Sequence, residues 1–527
     1  MTNDSSKDLG LTEGDGDGEL PGAPASSESM ARSHVRGSSL LLFGRLLSLG
    51  FTLATQILLV RSLSKEEFGV IAYALALASA GRLLLSLGQG QSISKFAAEY
   101  EESKDYGRLF GSIIMAFGTI VVTCLLAAAV LLLGADRLLV QGSGIPGELA
   151  IILVLLLLGP LEALDQVVTA LLASFSRAGS IFFRKYILTP GLRLLVVVLL
   201  LVLGAGAGFL AAGYVLASIL GLGVYIYLLL GTFRARGLAH HFHWREVIFP
   251  WREISKFTSV TLASETVFLM INTVSVMILA SRYSAVQVAE YRAVIPAAKL
   301  NQLVYASFTF MFLPLMSRLR QRDDRAGARE AYWSTATFIA VLSFPVAAMT
   351  IPFAEVTTVT LFGEDYRSSA IVLALVSVGY YFNSALGFNA ITLQVFDRLK
   401  YALAVNVSAA VLNLVLTLVL TLYWGVLGVA IAVLSTLVAQ NVLNQWGLRG
   451  AIATSLVVRS TWPVYGAILA GLALLAGVHF AWHPGVLVAA AASSAIWLCL
   501  LLALRQRLAI LDLFPEAGRI PLIGRLF

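Results

Sequence analysis

Four basic residues, Arg45, Arg82, Arg193 and Lys299, and three acidic ones, Glu162, Asp165 and Glu265, lie inside long apolar runs of the chain. A charge at the centre of hydrocarbon costs at least about 2.5–3.5 kcal/mol, so each should face a partner or a water-filled cavity. Arg82 is the plainest case. It stands near the midpoint of the run from Phe68 to Lys95, with roughly 20 Å of helix on either side. It reads either as half of an ion pair that holds helices together or as a cation that handles an anionic substrate. Arg45 and Arg193 stand about 10 Å from the inner edge of their runs, where snorkelling serves as well as function. Lys299 is similarly near the outer edge. Glu162 and Asp165 share one helix face just after Gly159-Pro160. Such a pair can take up a proton or a sodium ion, or be satisfied by Arg82 or Arg193. Asn272, Asn383 and Asn389 offer contacts to sugar hydroxyls, although hydrogen bonding between helices is the commoner use of buried amides.

These residues need helices to hold them. The 527-residue chain is 58% hydrophobic and only 13% charged, with a mean hydropathy of +0.84, whereas a soluble protein carries about 25% charged residues. The fold class that follows is an all-α polytopic membrane protein. A net charge of +7 reads here as the positive loops of a membrane protein rather than as a nucleic-acid surface. Cys124 and Cys499 both fall in apolar runs, and offer neither a disulfide framework nor a metal site. No cleavable signal peptide is visible, because the first apolar run begins late.

About 14 transmembrane helices are expected, each near the ~20 residues needed to cross. The seventh and eighth span 257–281 and 293–317, and the eleventh and twelfth, 401–423 and 425–447, meet at Trp424 with almost no loop. The expected organisation is a disordered tail (1–36), a six-helix bundle (37–231), a basic, aromatic linker (232–256), a second six-helix bundle (257–450), an extra helix pair (451–504) and an interfacial tail (505–527). Most lysines and arginines outside the spans then fall on the side of the N-terminus, and only Arg61, Lys65, Arg137, Arg282, Arg292 and Arg367 on the other. That asymmetry places both termini in the cytoplasm. In the linker, His240, His241 and His243 lack a cysteine or carboxylate to complete a ligand set, so an interfacial cluster is the expectation and a metal is not.

The two bundles read as copies. Ser64, Phe68 and Gly69 align with Ser284, Val288 and Ala289 at an offset of 220, and Phe175 and Arg177 with Phe396 and Arg398 at 221. Six spans per copy preserve orientation, which implies a pseudo-twofold axis along the membrane normal and a site between the halves. The same offset carries Arg45 to Glu265, and Arg82 to Gln302, one turn from Lys299. Arg82 and Lys299 are therefore expected to form a cationic floor for an anionic group, with Arg193 adding charge. Arg45 and Glu265 would face each other as a gate pair or as part of the cavity wall.

The segments RSLSKEEFGVIAYA (61–74) and SLGQGQSISKFAAEY (86–100) resemble Wzx-type polysaccharide flippases of the multidrug/oligosaccharidyl-lipid/polysaccharide (MOP) exporter superfamily. So do LFGEDY (361–366), LQVFDRLK (393–400) and GVLGVA (425–430). The resemblance covers roughly 38–450. It implies two MATE-like six-helix bundles around a cavity, alternating access, and export of a polyprenyl-diphosphate-linked oligosaccharide from the inner to the outer leaflet of the cytoplasmic membrane. The last two spans are similar to the extra pair of lipid II flippases, which lines a groove for a lipid tail. The seventh span departs from the family, with Asn272-Thr273-Val274-Ser275 where an Asp is common, so no ion site is carried across. No cofactor is implied beyond coupling to H+, Na+ or the membrane potential. The partners implied are the lipid-linked substrate, membrane lipids and polysaccharide polymerase or assembly proteins, with no nucleic acid. Two alternatives stand beside this reading. One is a cation-coupled drug or metabolite antiporter of the same superfamily; the other is a transport-dead scaffold in polysaccharide assembly. An enzyme is not expected, because the outer loops are too short to hold a catalytic site.

Overall fold

Apolar runs of this length leave the backbone no hydrogen-bond partner in lipid other than its own helix. The computed structural model describes residues 27–138, 147–175, 186–269, 273–455 and 458–508, and no strand occurs among them. The first half contains α1 (Ser27–Ser62), α2 (Lys65–Ser86), α3 (Gln89–Glu102), α4 (Tyr106–Leu138), α5 (Glu148–Leu156), α6 (Leu158–Ser174), α7 (Thr189–Leu203) and α8 (Ala207–Ala235). The second contains α9 (Trp251–Leu269), α10 (Ser275–Arg282), α11 (Ala285–Lys299), α12 (Leu303–Gln321), α13 (Arg325–Thr350), α14 (Ala354–Phe362), α15 (Ala370–Ala385), α16 (Asn389–Val395) and α17 (Leu399–Ile452). A last pair, α18 (Trp462–Trp482) and α19 (Val486–Leu508), packs on α13.

Ten helices among the described residues are long and apolar enough to cross a membrane. The expected count of fourteen is not reached by that measure, and the differences are local. In α1 the apolar stretch Leu46–Ser62 falls below that length, and the measure does not extend to the residues before it. In the seventh span α9 and α10 flank 270–272, which lie outside the described residues, and the eighth is interrupted by a 3-10 turn at Leu300–Gln302, between Pro296 and Pro314. Proline removes one backbone donor and crowds the preceding turn.

The eleventh and twelfth spans form the 54-residue α17, in which Gly425 has φ 53° and ψ −126°, a conformation that favours glycine. The chain reverses there. Asn413 donates to Thr436, Gln440 to Asn406 (2.9 Å) and Tyr401 to the Leu443 carbonyl (2.7 Å), pairs nested about Trp424 as in an antiparallel hairpin. A Cβ on Gly428 would stand 2.2 Å from the Leu420 carbonyl oxygen, so only glycine permits the arms to close this tightly.

Repeat-related positions make like contacts. Arg82 donates to Gln166 (3.1 Å), and Gln302, 220 residues on, donates to Asn383 (2.8 Å). Across the halves, α2 packs against α11, and Gly69 lies so close to it that a Cβ would meet the Ala285 carbonyl oxygen at 1.9 Å. The SKEEFG segment supplies the start of α2. Ser64 accepts from the Glu67 amide (3.2 Å) and the Glu67 carboxylate accepts from the Ser64 amide (3.1 Å), a reciprocal cap that satisfies two end donors. Around it Lys65 pairs with Glu290 (3.1 Å), which also accepts from Ser368 (2.8 Å), and Arg61 donates to the Leu361 carbonyl at the end of α14 (2.9 Å). This end of the molecule is closed by polar contacts between the halves.

The linker is a docked segment. The Ile248 amide donates to the Gly107 carbonyl (3.1 Å), and Gly111, one turn further along α4, leaves room for the Ile248 carbonyl, which a Cβ would meet at 1.9 Å. His241 stacks on Tyr106 with ring centroids 4.1 Å apart.

Candidate functional site

A cavity of about 560 Å³ opens between the halves, walled by α1, α2, α6, α7 and α8 on one side and by α11 on the other. Its charged lining among the described residues is Glu162, Arg193, Arg292 and Lys299. Three cations against one carboxylate favour an anion.

Glu162 reaches the cavity because of the Gly159-Pro160 step. A Cβ on Gly159 would lie 3.3 Å from the Ala78 carbonyl oxygen and 3.5 Å from the Arg82 amide, so glycine brings α6 close against α2. Glu162 then pairs with Arg193 (3.0 Å) and stands 4.0 Å from Arg82. Arg193 also lies over the Tyr214 ring, 5.6 Å from its centroid. Arg82 is tied to Gln166 as well and is absent from the lining, standing behind Glu162. Asp165 is half-buried, one turn from Glu162, and does not line the cavity.

Lys299 faces the cavity from the last turn of α11, and Arg292 faces it from two turns earlier. The expectation that Arg292 lies in an outer loop is corrected here. Helix α11 begins at Ala285, so Arg292 sits inside it, held between the halves, with its carbonyl accepting from Gln56 (3.3 Å). Neither Arg292 nor Lys299 meets a carboxylate among the described residues. Three buried polar atoms of the lining have no protein partner there: Nε of Arg292, Nε of Arg193 and Oγ1 of Thr189. These atoms are closed off from the open cavity, and its preference for an anion rests on the side-chain charges of Arg193, Arg292 and Lys299 along the lining.

The remaining sequence candidates lie elsewhere. Asn383 and Asn389 converge on the Asn441 side chain (3.2 and 2.9 Å) and knit α15, α16 and α17 together, outside the cavity lining. Asn272 lies outside the described residues, and so do the side chains of Arg45 and Glu265, whose helices are described. Sequence reasoning missed Thr189, Tyr214 and Gln56. Thr189 follows a π-turn at 186–188, for which composition gives no signal, although such turns recur at functional sites.

The LFGEDY segment builds a connecting loop rather than a site. Arg367 pairs with Glu364 (2.6 Å) and with Glu355, and this hydrogen bond holds the Glu364 carboxyl below its ordinary range.

Replacing Glu162 with Gln removes the carboxylate shared by Arg82 and Arg193. Both pairs are partly solvated, with side chains about 30% exposed, so the expected destabilisation is about 1–2 kcal/mol, less than for a fully buried pair. A lower thermal midpoint in detergent would register it, and an unchanged midpoint would show that Glu162 does not hold the wall together.

Comparisons with known proteins place this geometry. Residues 58–371 match the family described as polysaccharide biosynthesis protein. Among solved structures, the chain is similar to the lipid II flippase MurJ in an inward closed conformation, with a TM-score of 0.67 and 14% identity over 90% of this chain and 99% of that one. An inward-facing multidrug resistance MATE transporter of the MOP superfamily gives 0.59 and 17% over 77% and 94%. The MATE multidrug transporter DinF-BH gives 0.53 and 15% over 83% and 100%. At these identities the likeness is one of fold. A search of curated protein sequences finds no match.

Proposed function

The chain belongs to the polysaccharide biosynthesis protein family, and from that premise we propose that it is a flippase for a polyprenyl-diphosphate-linked oligosaccharide. It carries its substrate from the cytoplasmic to the outer leaflet by alternating access. The observation that supports this best is the cationic cavity between the halves, where Arg193, Arg292 and Lys299 face the single carboxylate of Glu162 among the described lining residues. A diphosphate–sugar headgroup cannot enter hydrocarbon unaided, because unpaired charge is prohibitive there. Arg193, Arg292 and Lys299 would compensate it, guanidinium groups being suited to bidentate contacts with phosphate oxygens. Arg82 acts through Glu162, holding Arg193 in place. The halves rock about the cavity, and the contacts of Lys65 with Glu290 and of Arg61 with α14 break on opening outward.

The protein sits in the cytoplasmic membrane with both termini in the cytoplasm. The membrane potential drives export: with the interior negative, a headgroup of charge near −2 gains about 4.6 kcal/mol per 100 mV. The flipped product passes to a polysaccharide polymerase. An antiporter for organic cations would need an available carboxylate in the cavity, and Glu162 already serves two arginines.

The test is leaflet protection in proteoliposomes containing a fluorescent polyprenyl-diphosphate oligosaccharide, with and without an imposed potential. Transfer that rises with an inside-negative potential is expected. Failure to transfer it, together with exchange of an organic cation for protons or sodium, would overturn the proposal in favour of the antiporter.

A further inference from the structure

A second polar recess lies away from the cavity, at the basic end of the molecule. The two arms of α17 bound a groove of about 390 Å³ there, lined by Arg398, Tyr401, Leu443, Trp446 and Arg449 together with two glycines. The glycines make the recess. A Cβ at Gly447 would meet the Tyr401 ring at 2.2 Å, and one at Gly450 the Arg398 guanidinium at 2.9 Å. With those positions bare, Arg398 lies against the second arm and donates to the Gly450 carbonyl (3.0 Å), which uses one of five guanidinium donors. Arg449 lies 5.5 Å from the centroid of the Trp446 ring and enters no ion pair among the described residues. None of the lining residues is acidic. The neighbouring carboxylate, Asp397, is already held by Arg320. Further along the arms, Val407, Val411 and Val415 on one and Val442 on the other form an exposed apolar stripe beside the level of the groove.

We infer that this groove binds the phosphate headgroup of an anionic phospholipid from the surrounding leaflet, with its acyl chains along the valine stripe. Two guanidinium groups with spare donors match phosphate oxygens in charge and shape. An exposed tryptophan beside them suits the depth of headgroups. A basic recess between transmembrane helices at the end that loop charge assigns to the cytoplasm faces the leaflet that carries anionic lipid. A soluble phosphate would gain the charge contacts but nothing from the stripe, and this separates the two sources. The site is independent of the cavity.

The test is lipid retention by the full-length protein in detergent, read by native mass spectrometry with phosphatidylglycerol and phosphatidylcholine at equal concentration. Preferential retention of phosphatidylglycerol is expected, weakened about fivefold in Arg449→Gln and about 25-fold when Arg398→Gln is added, since each basic group near a charged surface contributes about 1 kcal/mol. Arg449→Gln breaks no hydrogen bond or ion pair among the described residues, so its effect reports the site even where the double variant loses stability. Glycerol 1-phosphate in equal amount should not displace the lipid. Equal retention of both lipids would reduce Trp446 to an interfacial anchor, unchanged retention in Arg449→Gln would remove the site, and displacement by glycerol 1-phosphate would assign it to a soluble anion; each overturns the inference.

Discussion

Arg292→Glu is expected to abolish transfer of the diphosphate-linked substrate while leaving a folded protein. Arg292 lines the cavity and meets no carboxylate among the described residues. Its charge is therefore unspent until a ligand arrives. Truncating one member of a desolvated charge contact costs about 2–5 kcal/mol, roughly 30-fold to several-thousand-fold, and reversing its sign adds repulsion. Arg292→Lys keeps the charge and should retain transfer within about tenfold, losing only bidentate geometry. Proteoliposome transfer rates read beside thermal midpoints decide the matter. Wild-type transfer by a folded Arg292→Glu protein would remove Arg292 from the pathway.

Gly69→Val should act at the opposite side of the cycle. The α2–α11 contact leaves 1.9 Å between a Cβ at this position and the Ala285 carbonyl oxygen, a clash with backbone that no rotamer relieves. Overpacking usually costs about 1–3 kcal/mol, and here that cost falls on the closed arrangement alone if the halves can separate. The expected result is a protein biased towards an outer opening. With Cys124 and Cys499 replaced by serine, a cysteine at Thr52 in the cavity wall should react with an impermeant maleimide added outside at least about tenfold faster in Gly69→Val. That factor corresponds to a population shift of about 1.4 kcal/mol. Equal labelling with undiminished transfer would show that the α2–α11 contact is not the outer closure.

Arg292 also shows where sequence reading stops. The segment SAVQVAEYRAV (284–294) mixes Gln287, Glu290 and Arg292 among apolar residues, so a hydropathy boundary falls after Arg292. The helix starts at Ala285 because this stretch packs on α2 rather than on lipid, and hydropathy measures lipid contact. Arg82, Arg193 and Glu162 were legible as charges that need company, since hydrocarbon flanks each of them. Their pairing was one of two open readings, because distance between helices is not written in spacing along one. The repeat was legible from motif offsets, and the matching contacts of Arg82 with Gln166 and Gln302 with Asn383 give it a spatial form. Asn383 and Asn389 followed the commoner use of buried amides, and nothing in their sequence context marks Asn441 as their shared partner.

The hairpin at Gly425 bears on how the chain enters the membrane. The arms of α17 join without a polar loop, and their nested bonds begin within a few turns of the bend. No hydrophilic segment has to be carried across at this point, so the arms can leave the insertion machinery as one unit, already paired through Asn413, Thr436, Asn406 and Gln440. Polar side chains that would burden a single helix in lipid can then arrive with their partners, and joint insertion of the two arms is the expected route.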